Sequence, residues 1–442
     1  MSAPTEATAL KGPLFRSVLN IAWPATASHL LIFAHNLVDY MWVQMLGTEA
    51  AAGLTAGWTL YWLIGSLGQI FSVGITAVVA RRIGERRHGD AHHAAGQGTI
   101  GAFAAGWVVA IVGFQVVPMM IAGGASSPAA AHYASDYLGA ILLGCPFLFL
   151  FYAMEGTFKG HGDTRRPLRA LGLALGINVV LDPVLIHVAG LEVLGAGLAT
   201  AIASAIAGLT LLRGARSRGL LKVGKLDPRI IGRIVRIGTP LSMHGILFSL
   251  VYVKIIAEVN HAGGVAATAA LGLGLRVEGF AYLVCLGCAS AAAAMVGQNL
   301  GAGNIPRANA AAWLSVRLAV IGSGVWGLLM LVVPFSVVDL ISPGSEATAY
   351  AVIYMECVSI SLMFTALELV LEGAFSGAGD TLPPMFLGIP MTVLRVPAAI
   401  LAARTFHWGV VGIFWALTIT SIVRGLLFAY WFQRGKWIHA KA

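Results

Sequence analysis

Twelve long apolar stretches separated by short polar loops follow one another along this 442-residue chain, and no other feature constrains its fold as strongly. A helix that crosses hydrocarbon needs about 20 mostly apolar residues to span a core of about 30 Å. The stretches lie near 16–46, 51–80, 94–120, 131–158, 168–189 and 195–213, then near 231–261, 265–297, 310–340, 348–376, 385–403 and 409–433. With 58% hydrophobic and 11% charged residues, the composition excludes a disordered chain, a collagen, a disulfide scaffold and an ordinary cytosolic enzyme. The expected fold is an all-α polytopic membrane protein with 12 transmembrane helices. Its 54 glycines suit close helix–helix approach in a bilayer.

The net charge of +9 resembles a nucleic-acid footprint until its distribution is followed. Arg81, Arg82, Arg86 and Arg87 follow the second stretch, and Lys159, Arg165, Arg166 and Arg169 flank the loop after the fourth. Arg213, Arg216, Arg218, Lys222, Lys225, Arg229, Arg233 and Arg236 surround the loop after the sixth. Lys11, Arg16, Arg307, Arg434, Lys436 and Lys441 complete a set of 22 of the 28 basic residues on one side, whereas the opposite loops hold Arg404 alone. Positive charge collects in cytoplasmic loops, so both termini are expected inside and the lipid bilayer, not nucleic acid, is the expected partner. The first stretch is too long for the apolar region of a signal peptide and is expected to remain as a span, giving a bacterial-type inner-membrane location. Cys145, Cys285, Cys288 and Cys357 all fall in expected spans and read as small buried hydrophobes.

The chain is also duplicated. Glu155 to Pro167 recurs as Glu372 to Pro384, with eight of thirteen positions identical at an offset of 217. Near the start of each half the offset is 216, pairing Pro24 with Pro240 and Gly47 with Gly263. Six spans per half return the chain to its starting side, so the halves form a parallel repeat, an architecture of secondary transporters. The expected division is a lobe at 1–213, a basic linker at 214–228 and a second lobe at 229–442.

Ionisable residues within spans are costly and mark functional positions. Asp39 lies in the first span, Asn178 and Asp182 lie one turn apart in the fifth, and Thr200 lies in the sixth. At about 1.5 Å per residue, Asp39 and Asp182 sit about 10 Å, and Thr200 about 8 Å, from the outer ends of their helices. Three oxygen-bearing side chains therefore converge in depth, with Asn178 a turn deeper. Such oxygens suit a hard cation such as Na⁺, and two neighbouring carboxylates suit a shared proton. The counterparts in the second half are Ile255, Arg395, Ala399 and Leu417, so the site is expected in the first half only. His35 shares the face of Asp39 and either tunes it or lines a cavity. Glu368 is a candidate partner for a cationic substrate. Lys254 and Glu258 are spaced to neutralise each other, and Arg276 with Glu278, or Arg395 with Glu356 or Glu368, could pair between helices. Glu155 and Glu372 are expected to be structural. Pro24 is expected to kink the first span, as a tolerated bend or as a gating element tied to Asp39.

The doubled Gly-Asp-Thr-x-x-Pro loops, Pro24, Val38-Asp39, Leu46-Gly47 and the Asn178, Asp182, Thr200 series resemble the multidrug and toxic compound extrusion family, and the likeness runs from about Pro13 to Gln433. The resemblance implies two six-helix lobes around a central cleft and efflux of amphipathic, mostly cationic compounds in exchange for H⁺ or Na⁺, with no cofactor and a monomeric chain. The first-half polar set is most similar to the DinF-type branch. That similarity implies that Asp39, Asn178, Asp182 and Thr200 form the cation or proton site and that Tyr137 lines the adjacent cavity. The chain departs from the branch with an acid in the seventh span, since Phe248 and Ser249 stand where it would be expected. Two rival readings are a lipid-linked oligosaccharide flippase, which calls for a net positive cavity, and an intramembrane aspartyl protease, which calls for Asp163 and Asp380 to meet.

Overall fold

The structure is a computed structural model that describes residues 10, 12–122, 127–341 and 347–440; Lys11 and Lys441 lie outside the described residues. Its helices are α1 (Leu14–Val43), α2 (Thr48–Gly84), α3 (His88–Ala122), α4 (Pro128–Gly160), α5 (Arg165–Pro183) and α6 (Glu192–Ser217). The second half holds α7 (Pro228–Gly301), α8 (Ile305–Val332), α9 (Pro334–Ile341), α10 (Thr348–Val358), α11 (Ser361–Ala378), α12 (Leu382–Ile400) and α13 (Gly409–Gln433). Helix α7 is 74 residues long, about 110 Å at the helical rise, so it crosses twice. Its two arms meet at Gly264, whose φ of 69° lies where only glycine is unstrained. Helices α10 and α11 together make the tenth span, and twelve spans result, as the sequence predicts.

The duplication extends to backbone detail. Helix α4 and helix α11 end in the same turn: Asp163 N–H donates to Phe158 O and Asp380 N–H to Phe375 O, both at 2.9 Å. Gly162 and Gly379 take the required left-handed conformation at φ 76° and 80°. The repeated Gly-Asp-Thr segment is therefore a helix-capping turn, and it explains why its glycines recur. Helices α5 and α12 each continue into a wider turn, closed by Ala189 N–H on Val184 O at 2.8 Å and Phe406 N–H on Leu401 O at 3.1 Å. The equivalent positive-φ glycines are Gly47 and Gly264, one residue from the Gly47–Gly263 match expected from sequence, so the offset changes inside the seventh span.

One apolar run is less regular than expected. The tenth span breaks between α10 and α11, where Ser359 and Ser361 hydroxyls donate to Glu356 O at 3.1 Å and Val358 O at 2.7 Å. The Cys357 carbonyl accepts instead from the Thr418 hydroxyl at 2.8 Å. Side-chain donors thus take up carbonyls that a straight helix would use internally.

Three buried apolar clusters organise the interior. One spans residues 43–237, a second spans 251–417, and a third joins Val18, Ile21 and Ala22 to residues 285–437. Helix α1 therefore starts in the core of the second half, while Ile234 and Ile237, at the start of α7, lie in the core of the first. Pro24 follows Ala22 by two residues and Pro240 follows Ile237 by three. Each proline stands where its helix leaves the other half's core and enters its own. Thr164 of the first capping turn donates to Ile21 O at 2.8 Å, fixing the chain just ahead of Pro24.

The halves meet closely at the end that carries the basic loops. A side chain on Gly84 would collide with the Gln298 carbonyl, and one on Gly301 with the Arg81 carbonyl. Gly297 packs on Ala80 one turn further in. Ala80/Gly84 and Gly297/Gly301 are repeat-equivalent pairs four apart, the small-residue spacing that lets helices touch. Gly238 and Gly287 similarly abut Ile70 and Thr26.

The segment joining the halves is held in place. Gln97, fully buried on α3, donates from Nε2 to Lys225 O at 2.9 Å and accepts from Asp227 N–H at 2.9 Å. Lys222 N–H donates to His92 O at 3.0 Å. Gln97→Ala removes two such bonds, worth about 1–2 kcal/mol together. Limited trypsin digestion should then cut at Arg218, Lys222 or Lys225 roughly 10-fold faster; an unchanged rate would show that other contacts hold the segment.

Candidate functional site

Helices α1, α4, α5 and α6 bring the predicted first-half residues together. Asp39 is 2% exposed, Asn178 and Asp182 are 0%, and Thr200 is 2%. Thr200 Oγ1 donates to Asp39 Oδ2 at 3.0 Å, and Asn178 Nδ2 donates to Asp182 Oδ1 at 3.3 Å. Asp39 is close enough to Asp182 and Asn178 for both to act on its carboxylate. Tyr137 of α4 is fully buried beside Thr200. Helix periodicity produces this meeting: Asn178 and Asp182 share a face of α5, immediately before Pro183 and the wide turn.

The cluster is rich in unused acceptors. Asp39 Oδ1, Asp182 Oδ2, Asn178 Oδ1 and the Tyr137 hydroxyl are buried without a hydrogen-bond partner. His35 Nε2 stands 3.5 Å from Asp39 Oδ1, beyond good hydrogen-bond geometry. Among the described residues no Lys or Arg is ion-paired with Asp39 or Asp182. Two neighbouring buried carboxylates with no fixed counter-charge are tolerated when protonated or when a cation is bound between them. Sequence reasoning missed Tyr61 of α2, which sits close enough to Asp39 to feel its charge; a tyrosine in an apolar run carries no signal of its own.

The second half replaces this arrangement. Ile255 and Ala399 are fully buried and Leu417 nearly so, in an apolar core. Arg395, equivalent to Asn178, donates to Ser421 Oγ at 2.7 Å and lies over the rings of Phe248 and Tyr252 at 5.7 and 5.8 Å.

Several expected pairings give way to others. Glu258 accepts both Arg404 Nε and Nη2 at 2.7 Å, while Lys254 is exposed; the bidentate guanidinium outcompetes the lysine one turn away. Glu278 accepts the Tyr354 hydroxyl at 2.7 Å, with Arg276 exposed. Neither Glu356 nor Glu368 is ion-paired with Arg395: Glu356 is exposed, and Glu368, 1% exposed, lies 2.6 Å from Arg424 Nε. Glu155 accepts Ser72 Oγ and Lys159 Nζ, both at 2.9 Å, a structural setting. His161, in the capping turn outside the spans, is held by burial at about 4; its neutral ring places Nδ1 2.8 Å from Thr157 O.

Both rivals lose their footing. Asp163 pairs with Arg166 at 3.2 Å and Arg218 at 3.4 Å, while Asp380 caps a different helix, so no carboxylate dyad forms. The second-half interior buries Arg395 and Arg424 against Glu278, Glu368 and Glu372, and is not net positive.

Comparison with known proteins places the fold and the family. A family model, MatE, matches residues 24–184 and 240–401, the two repeats. The multidrug export protein MepA of Staphylococcus haemolyticus is 22% identical over 94% of this chain and 92% of its own. The probable multidrug resistance protein NorM of Thermotoga maritima is 23% identical over 96% and 93%, and an FAD transporter of Shewanella oneidensis is 23% identical over 96% of each. Among solved structures, a MOP superfamily transporter from Pyrococcus furiosus superposes with a TM-score of 0.93 at 21% identity over 98% of both chains. An outward-facing multidrug resistance MATE transporter gives 0.93 at 21% over 100% of both. With the family model covering both repeats, this chain belongs to the MatE family of membrane transporters.

Proposed function

We propose that the protein is a secondary multidrug antiporter in the inner membrane, with the basic face in the cytoplasm. It would expel amphipathic, mostly cationic compounds in exchange for an ion bound at Asp39, Asn178, Asp182 and Thr200. One observation carries the reading: Asp39 and Asp182 are buried in one cluster, close enough for each to act on the other, without a fixed cation. A shared proton relieves their repulsion directly, and H⁺ is the ion we favour. The four unpartnered oxygens are what favours Na⁺ as the second reading. Tyr137 and His35 flank the site, and Pro24, whose ring removes a backbone hydrogen bond, gives α1 a place to flex as occupancy changes. Exchange requires that ion and substrate each weaken the other's binding.

The test is efflux of a cationic dye from proteoliposomes under a pH gradient alone, then a Na⁺ gradient alone. We expect the pH gradient to drive efflux and its collapse by an ionophore to stop it. Dependence on Na⁺ only would assign the site to Na⁺, and indifference to both gradients would remove the antiport reading.

A further inference from the structure

The second half buries a separate polar cluster drawn from four helices. His244 comes from the first arm of α7, Glu368 and Glu372 from α11, Thr392 from α12 and Arg424 from α13. His244, Glu368 and Glu372 each present one donor atom, and these atoms lie within 4.8 Å of one another. A zinc-class ion with bonds of about 2.0–2.2 Å holds tetrahedral donors about 3.5 Å apart, a spacing these side chains reach by small rotamer adjustments. Imidazole nitrogen and carboxylate oxygen are both ligands that such an ion accepts.

A guanidinium already occupies this neighbourhood. Arg424 Nε lies 2.6 Å from Glu368 Oε2, and its Nη1 donates to Thr392 Oγ1 at 2.8 Å and stands 3.4 Å from His244 Nε2. His244 Nε2 is 3.2 Å from Thr392 Oγ1, and Nδ1 is 3.2 Å from Glu372 Oε1. Arginine can only donate, so Thr392 accepts from Arg424 and turns its own proton to His244 Nε2. The imidazole proton then sits on Nδ1, donated to Glu372. A single polarity runs from Arg424 through Thr392 and His244 to Glu372, and each bond supports the next. Arg395 and Glu278 lie near enough to act on Glu368 and Arg395 through their charge, but neither is ion-paired within the cluster.

We infer that Arg424 is the resident, covalently tethered cation of a three-ligand metal-type site, and that it withholds the second half from ion exchange. This rests on the proposed coupling at Asp39 and Asp182 only in its functional consequence: ions would be carried by the first half alone. The site itself stands on the geometry of the second half.

Arg424→Met removes the charge and keeps a long side chain. In purified protein, this variant should bind one Co²⁺ per chain, with visible d–d absorption, and Zn²⁺ should displace it. Wild type and the double variant Arg424→Met/His244→Ala should take up none. If Arg424→Met folds poorly, Co²⁺ or Zn²⁺ should restore its thermal transition while Mg²⁺ does not. Folded protein without metal uptake, or instability that Co²⁺ and Zn²⁺ fail to repair, would overturn the inference, as would equal uptake by wild type. These readouts involve no transport, so they remain informative if the coupling role of Asp39 fails.

Discussion

Asp39→Asn is expected to reduce gradient-driven efflux about 100-fold while leaving substrate binding at equilibrium nearly unchanged. Asparagine keeps the shape and can still accept from Thr200, but it can neither carry a proton nor supply charge to a cation. Coupling between two ligands is typically worth 1–3 kcal/mol, or about 5- to 150-fold, and the variant should lose most of it. Thr200→Ala removes one hydrogen bond to a charged group, about 1.5 kcal/mol, and should cost only about 10-fold. The order matters more than the values. Wild-type efflux in Asp39→Asn, or a larger loss in Thr200→Ala, would move the coupling site elsewhere. Parallel measurements of dye binding and of efflux in proteoliposomes separate these results.

Gly84→Leu should disable the transporter by a different route. Its Cβ meets the Gln298 carbonyl carbon at 2.8 Å and the Ala302 nitrogen at 2.9 Å, both backbone atoms of a neighbouring helix. Overpacking of this kind costs about 1–3 kcal/mol, and the cost falls only on conformations in which the basic face is closed. A population ratio should then shift about 10- to 100-fold toward a conformation open at that face. Spin labels at Arg87→Cys and Ala302→Cys, both exposed, report this as a longer distance and Gly84→Leu efflux should fall in proportion. A distance distribution identical to that of unsubstituted Gly84 would show that the contact is not needed for closure. Gly301→Leu, at the equivalent position, should behave alike.

Much of this architecture was legible because helices in bilayers obey a fixed rise. Depth arithmetic from helix ends placed Asp39, Asp182 and Thr200 in one layer, and the structure joins Thr200 to Asp39 and buries Asp182 close enough to Asp39 to feel its charge. The repeat motif was legible as a loop, though its identity as a capping turn needed the φ values of Gly162 and Gly379. Contacts between helices far apart in sequence were not legible. Arg424 carries no signal along its own helix because its partners, Glu368 and Thr392, lie on other helices; periodicity orders residues along one helix and says nothing of neighbours across a packing interface. Lys254 and Glu258 show the converse: correct spacing gave an opportunity, and the better-shaped guanidinium of Arg404 took it. The break before α11 was hidden for a related reason, since the Thr418 hydroxyl that takes the Cys357 carbonyl comes from the last span.

The crossed starts of α1 and α7 bear on how such a chain could arise. Neither repeat completes its interior alone, because Val18, Ile21 and Ala22 fill one core and Ile234 and Ile237 the other. An ancestor built from a single six-helix unit of this geometry would have been a swapped homodimer, each copy lending its first turns to its twin. Fusion of two such genes would have made the exchange intramolecular, freeing one copy to lose the acids that the other retained.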